Sequence, residues 1–215
     1  MNRTINVALD EAREWYNSDN ETLKELALRC YPLDDLKIVP FEKIKSFEDA
    51  VNAINLDIDD VDLTISRLER ISKASVAMYK VCIVLKALNL GKDLKLTQDP
   101  ENSFIYRPFN PLVTENSTYY EDELNLDKME IIGKIKYEGT LYCVLGGYAV
   151  NDVYSGLGGF EPYSGTCFAD ANFALLGCAN EEIAKHFGKY FGMLITEAKF
   201  GYLRGFEIVG KKYQN

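Results

Sequence analysis

The chain has 215 residues, of which 47% are hydrophobic and 27% are charged, and its formal net charge at pH 7 is −9. No apolar stretch approaches the roughly 18 residues of a membrane span, and Met1–Val7 lacks the apolar core of a signal peptide, so we expect neither membrane insertion nor export. An acidic chain without clustered Lys or Arg is also poorly suited to neutralising phosphates, so nucleic acid is excluded as a predicted partner.

Charge and glycine divide the chain into two differently composed regions. Residues 1–130 hold 25 acidic and 16 basic residues, whereas residues 131–215 hold eight of each. Of the 15 glycines, 14 lie from Gly133 onward. Together with a change of periodicity near residue 95, this shift predicts an acidic helical region over residues 1–95 and an α+β region over residues 96–215.

The first region is predicted to be helical from its start. Apolar residues recur at helical spacing after Thr4, and a polar break at residues 17–20 precedes a second helix that starts at Glu21. Pro32 closes this second helix, because the residue before a proline disfavours helical geometry. Two helices are therefore expected within residues 4–31.

Two further helical segments are predicted in this region. Ser46 and Asp49 form a pattern similar to a capping box, which predicts a helix start. Apolar residues then recur at threes and fours over residues 62–90, which predicts a long central helix that breaks near Ser72 and packs on two faces in its second half. The acidic run 57–62 lacks the glycine and glutamate of a calcium loop, so we expect a loop that leads into this helix.

Beyond residue 95 the apolar period changes from 3.6 to 2, which predicts strands. Residues 104–106, 129–137 and 140–145 fit this pattern, and Glu138-Gly139 forms a hairpin turn that pairs the last two strands antiparallel. Residues 107–111 lie between the first two strands and are predicted to form a rigid aromatic loop.

A final helix and a closing strand complete the predicted fold. Asn180 is a good N-cap for a helix that reaches Lys199, and residues 206–209 read as a strand. The predicted fold class is therefore α+β. A helical N-terminal half is followed by an antiparallel, Gly/Tyr-rich sheet, which packs against the C-terminal helix.

The residue types and spacings needed for catalysis or metal binding are largely missing from the sequence. Its five cysteines are odd in number, widely spaced and without a CxxC pair, so we expect them to be reduced, buried and free of metal (Cys30, Cys82, Cys143, Cys167 and Cys178). A lone histidine on an amphipathic helix, here His186, is more typical of packing than of nucleophilic catalysis. The glycine pattern at 156–161 fits neither a dinucleotide fingerprint nor a phosphate loop, so no cofactor is predicted.

Residues 146–177 combine seven glycines with Tyr and Phe. Loops rich in Tyr, Asn, Asp, Ser and Gly make adaptable contacts, because Tyr supplies rigid contact area while the smaller residues supply hydrogen bonds and backbone freedom. The alternative is a tight β-meander whose aromatic side chains form the core. On the first interpretation, the predicted binding residues are Tyr148, Asn151, Asp152, Tyr154 and Tyr163.

Several blocks of the sequence resemble one group of proteins. Residues 4–16, 21–27, 72–75, 156–160 and 177–191 are similar to uncharacterised proteins encoded by gut Bacteroidales and by their tailed phages or prophages. These proteins have no assigned activity, so the resemblance implies a phage-encoded product and no functional residue. In composition alone, the loop region is also similar to the display surfaces of phage C-type-lectin-like receptor-binding proteins.

The expected function is that of a non-enzymatic, phage-derived structural or host-recognition protein, with the Tyr/Gly/Asn-rich loops as its contact surface. We expect a protein or a cell-surface ligand as partner, and a homo-oligomer is compatible with the sequence. The chain would be made in the host cytoplasm, with the virion as a candidate destination. The alternatives are an intracellular inhibitor of a host factor and an enzyme that uses carboxylates, with Cys167 or His186.

Overall fold

The computed structural model describes residues 7–90, 105–110, 112–114, 130–146, 148–152 and 177–213. Within these ranges, the helices are α1 (Leu9–Asn17), α2 (Glu21–Cys30), α3 (Leu33–Leu36), α4 (Phe47–Ala53), α5 (Ile58–Glu69), α6 (Lys73–Leu88) and α7 (Glu181–Phe200). The strands are β1 (Ile105–Phe109), β2 (Leu112–Val113), β3 (Glu130–Tyr137), β4 (Thr140–Gly146), β5 (Tyr148–Asp152) and β6 (Glu207–Lys211). A 3-10 turn at Phe41–Lys43 precedes α4. This arrangement confirms the predicted α+β class.

Helices α1 to α3 pack around a small apolar cluster. Ala12, Ala27 and Leu36 are fully buried there, and Trp15 is among the partly buried residues that pack against them. The polar break at residues 17–20 is confirmed, because α1 ends at Asn17 and α2 starts at Glu21. Thr4, after which the helical spacing starts in the sequence, lies outside the described residues, and α1 begins only at Leu9.

The cysteines are less uniformly buried than the sequence predicts. Cys143 and Cys178 are buried, whereas Cys30 on α2 and Cys82 on α6 are exposed. Cys30 is exposed because α2 packs against the short helices α1 and α3, which cover only part of its surface. The prediction of burial is therefore wrong for Cys30 and Cys82, and Cys167 lies outside the described residues.

The central helical segment breaks as predicted. α5 ends at Glu69, and Ser72 caps α6 by accepting a hydrogen bond from the Ser75 amide at 3.0 Å. Asp57 caps α5 in the same way, by accepting a hydrogen bond from the Asp59 amide at 2.9 Å. The loop predicted for the acidic run 57–62 is therefore wrong except at Asp57, because residues 58–62 already belong to α5.

The largest apolar cluster joins helices α4 to α7. Val81 and Val84 of α6 and Phe187 and Phe191 of α7 are at most 1% exposed within it. Full burial of such a side chain contributes about 1.5–3 kcal/mol to the hydrophobic free energy of folding. The cluster contains residues from both sides of residue 95, and the predicted domain boundary there stays a prediction.

A four-stranded antiparallel sheet, in the order β2-β4-β3-β6, packs against the other side of α7. Ile132 and Ile135 of β3 and Val144 of β4 form an apolar cluster with Met193 of α7. The predicted hairpin is confirmed: its turn residues have left-handed φ angles, +48° at Glu138 and +82° at Gly139. Helix α7 therefore lies between the sheet and the helical core. None of the described helices is both long and apolar enough to span a membrane.

Strands β1 and β5 form a separate antiparallel ribbon, which packs against α7. Their register runs from Ile105 opposite Asp152 to Phe109 opposite Tyr148. The predicted loop over residues 107–111 is therefore wrong in its first part, since residues 107–109 belong to β1. A two-stranded ribbon consists only of edge strands, which are the strands that tolerate a proline such as Pro108.

Candidate functional site

Three of the five predicted binding residues lie on a strand and not in the loop that the composition indicates. Tyr148, Asn151 and Asp152 belong to β5, whose partners in β1 fix its backbone register. Tyr154 and Tyr163 lie outside the described residues. Strand β5 is therefore the part of the predicted contact region whose placement is known.

Asn110 fastens the ribbon to the rest of the molecule. It directly follows β1, and its Nδ2 atom donates hydrogen bonds to the carbonyl oxygens of Gly188 in α7 and Leu145 in β4, at 2.9 Å each. A single amide thus connects the ribbon, the helix and the four-stranded sheet. The backbone of β5 is supported by β1 and by these contacts at the end of β1.

A second cluster, which sequence reasoning missed, lies along the partly exposed side of α7. The ring centroids of His186 and Tyr190 are 4.5 Å apart. The Phe41 ring lies 5.4 Å from His186, edge to face, and the Tyr213 ring lies 4.8 Å from Tyr190. These centroid distances fall in the range of favourable aromatic pairs, so the four rings form a continuous row.

Three lysines surround this row of rings. The Nζ atoms of Lys45 and Lys189 each lie 5.5 Å from the Tyr190 ring centroid, and Nζ of Lys212 lies 5.4 Å from the Tyr213 centroid. An ammonium group within about 6 Å of a ring centroid is attracted by the ring quadrupole. We refer to the rings, the lysines and one adjoining carboxylate as the aromatic–lysine surface: Phe41, Lys45, Glu130, His186, Lys189, Tyr190, Lys212 and Tyr213.

Glu130, the first residue of β3, supplies that carboxylate. Its Oε1 atom accepts a hydrogen bond from Tyr213 Oη at 2.7 Å and lies 3.0 Å from Lys189 Nζ, while its Oε2 atom accepts one from Lys212 Nζ. Burial opposes ionisation of Glu130, but these hydrogen bonds outweigh it and lower the pKa from 4.5 to about 2. Glu130 is therefore fully charged at neutral pH.

His186 fixes the row of rings to the segment before α4. Its Nε2 atom lies 2.7 Å from the carbonyl oxygen of Ile44. Burial lowers the pKa of His186 and outweighs the contact with the Ile44 carbonyl, which raises it; the nearby charges of Lys45 and Lys189 also lower this pKa. The ring is therefore neutral at pH 7, with its proton assigned to Nε2 and donated to Ile44. This packing role agrees with the prediction made for the lone histidine.

The Cys178 thiol is a further reactive group, and its surroundings differ from those of the aromatic–lysine surface. Burial raises the pKa of the Cys178 thiol to about 12, so the thiol is protonated at neutral pH and is a weak nucleophile. Among the residues that the structure describes, no three His, Cys, Asp or Glu side chains are arranged to hold a metal ion.

The aromatic–lysine surface escaped sequence reasoning because its residues come from separate segments. Phe41 and Lys45 precede α4, Glu130 begins β3, and Lys212 and Tyr213 follow β6. The only local signal was the spacing of His186, Lys189 and Tyr190, because residues three and four positions apart lie on the same side of a helix.

Comparisons with known proteins give no relative for this chain. No protein-family model matches it, and neither a curated protein nor a solved structure is significantly similar to it.

Proposed function

We propose that this chain is a non-enzymatic binding protein of phage origin, with a structural or host-recognition role. The observation that carries the proposal is the placement of Tyr148, Asn151 and Asp152 on β5, whose backbone pairs with β1 along its whole length and packs against α7. A contact strand on a rigid support has little conformational freedom left to lose on binding, so its contacts contribute more fully to affinity.

The position of β5 in the chain adds to this support. The strand leads directly into the Gly- and Tyr-rich segment that contains Tyr154 and Tyr163. A fixed strand followed by residues typical of contact loops is an arrangement suited to recognition. The expected partner is a protein or a cell-surface ligand of the host.

Exposed apolar side chains on and next to helix α5 favour a second candidate function, that of an intracellular inhibitor of a host factor. Leu63 on α5 is 49% exposed, and Ile71 just beyond its end is 72% exposed. Apolar side chains exposed on a helix with an acidic first turn offer a surface to which another protein can bind.

The proposal is tested by replacing three tyrosines of the contact region at once. Binding of the purified chain to Bacteroidales cells is measured for the wild type and for the variant Tyr148→Ala, Tyr154→Ala, Tyr163→Ala. We expect at least a tenfold loss of binding, because truncated aromatic anchors each cost about 1–2 kcal/mol or more at an interface. The melting temperature should change by only a few degrees. The matched control is Tyr202→Ala, whose side chain is 70% exposed outside this region, and which should bind normally.

Two results would contradict this assignment in different ways. Unfolding of the triple variant would mean that these tyrosines belong to the core of a β-meander. Co-purification of the chain with a cytosolic host protein from infected cells, together with its absence from purified phage particles, would favour the inhibitor.

A further inference from the structure

The aromatic–lysine surface carries a local excess of positive charge in an acidic chain. Lys189 and Lys212 both contact Glu130, yet their side chains are 38% and 49% exposed. Lys45 is exposed as well. Among the described residues, three ammonium groups thus stand against two carboxylates, that of Glu130 and that of Asp49, which accepts a hydrogen bond from the Lys45 amide at 2.9 Å. The ammonium groups keep contact with solvent, from which an anion can approach.

The neighbouring charges leave this excess in place. Glu42 and Lys43 are both exposed on the 3-10 turn beside Phe41, and their charges cancel. Lys185, one helical turn before Lys189, forms an ion pair with Glu181 at 2.5 Å. Within the described part of the chain, the three lysines of the aromatic–lysine surface therefore outnumber the two remaining carboxylates beside them, those of Glu130 and Asp49.

The contacts of Glu130 identify the chemical group that this surface accepts. Its carboxylate is held by Lys189, Lys212 and the hydroxyl of Tyr213, so two ammonium donors and one hydroxyl donor already meet one carboxylate at this place. A carboxylate from another molecule would find the same types of donor there, together with the ammonium group of Lys45.

The rings are placed less favourably for nucleic-acid bases. Base stacking requires an open aromatic face. The Tyr190 ring is flanked by the His186 ring, tilted by 43°, and by the Tyr213 ring, tilted by 56°, and two lysine ammonium groups approach it as well. We therefore expect the ammonium groups, and not the faces of the rings, to contact a ligand.

The surface also adjoins the strand assigned to recognition. Glu130 lies opposite Gly146 in the β3–β4 ladder, and a single residue separates Gly146 from Tyr148 at the start of β5. A partner that contacts β5 can therefore extend to the three lysines.

We propose that the aromatic–lysine surface binds an acidic peptide segment of the protein partner, through carboxylates that contact Lys45, Lys189 and Lys212. This inference rests on the proposed binding function and names the chemistry of a second contact on the same partner. The partner would carry Asp or Glu residues next to the segment that meets β5.

The test uses the full chain and a fluorescein-labelled peptide of twelve residues that alternates Glu and Gly. Fluorescence anisotropy measures binding in about 50 mM salt and again in about 0.5 M salt, where exposed charges are strongly screened and binding should weaken. Lys45→Glu should reduce the affinity about tenfold, because it replaces an attraction by a repulsion. The matched control Lys43→Glu makes the same charge change two residues away and should alter the affinity less than twofold.

Glu130→Gln tests the same idea in the opposite direction. This variant removes the internal carboxylate that occupies Lys189 and Lys212, so the peptide should bind at least threefold more tightly. A purely structural role of Glu130 would weaken peptide binding, or leave it unchanged, in this variant. Thermal unfolding of each variant shows that the folded state is being compared.

Three results would overturn the inference. The first is that the wild type does not bind the peptide in low salt. The second is that Lys45→Glu and Lys43→Glu bind it with equal affinity, and the third is that the wild type binds a twelve-nucleotide single strand more tightly than the peptide. A negative result in the peptide assay would not contradict the proposed function, because that function is tested separately by binding of the chain to Bacteroidales cells.

Discussion

Glu130 joins three parts of the molecule through one carboxylate, which contacts Lys189 on α7 and Lys212 and Tyr213 after β6. Its pKa of about 2 in the folded protein lies below the ordinary value of 4.5, so the charged form stabilises the fold above pH 4.5 and this contribution is lost as the pH falls toward 2. Glu130→Gln should lower the free energy of unfolding by about 1–3 kcal/mol at pH 7. It should also lose less stability than the wild type between pH 4.5 and 3. Urea unfolding at pH 7 and pH 3 measures both effects.

The control for Glu130 is an acidic residue without this set of donors. Glu25 is exposed on α2, and Glu25→Gln should change the free energy of unfolding by less than about 0.5 kcal/mol. Equal effects of the two substitutions at pH 7 would show that the contacts of Glu130 contribute nothing specific to stability.

Helix α7 approaches the sheet and the ribbon closely because two glycines lie on its inner face. A Cβ atom at Gly192 would lie 2.3 Å from Cδ1 of Ile132 and 2.6 Å from Nδ2 of Asn110, while one at Gly188 would lie 3.0 Å from Cβ of Pro108. In an open helix, replacing Gly by Ala gains about 1 kcal/mol, but crowding reverses the sign here. Gly192→Ala should lower the free energy of unfolding by about 1–3 kcal/mol, as measured by urea denaturation.

Gly210 in β6 provides the matched control for Gly192. A Cβ atom there would meet nothing within 4 Å, so Gly210→Ala should change the free energy of unfolding by no more than about 0.5 kcal/mol. A Gly192→Ala variant more stable than the wild type would mean that α7 can move away from Ile132 and Asn110 without loss of packing.

The elements that sequence reasoning predicted are those with local signals. Asn180 caps α7 by accepting a hydrogen bond from the Ile183 amide, and Ser46 and Asp49 form the expected capping box at α4. Both caps can be recognised in the sequence because their contacts span only three residues. Pairing between β1 and β5 has no such signal, since it joins segments far apart in the sequence.

The candidate site shows the same limit. Loop composition predicts Tyr148, Asn151 and Asp152 as contact residues, because it identifies residue types suited to contacts, but it gives no spatial position. Glu130 was missed because its hydrogen-bond partners Lys212 and Tyr213 are 82 and 83 residues away in the sequence. Only the folded chain brings these charges together.

The molecule as a whole contains apolar clusters of very different size. Among the residues that the structure describes, twenty buried residues form the cluster of helices α4 to α7, whereas three form that of α1 to α3. Hydrophobic stabilisation grows with the apolar area removed from water, and local unfolding starts in parts of a protein with few buried apolar contacts. The α1–α3 cluster should therefore open at a lower denaturant concentration than the rest.

The single tryptophan allows the two parts to be followed separately. Trp15 packs against the α1–α3 cluster, whereas most of the described helical residues belong to α4–α7. In urea, the midpoint measured by Trp15 fluorescence should be lower than the midpoint measured by far-UV circular dichroism. Leu36→Ala should lower mainly the fluorescence midpoint, and Phe187→Ala mainly the dichroism midpoint, because each removes a fully buried side chain from one cluster. Coincident curves in all three proteins would instead show that both clusters unfold as one cooperative unit.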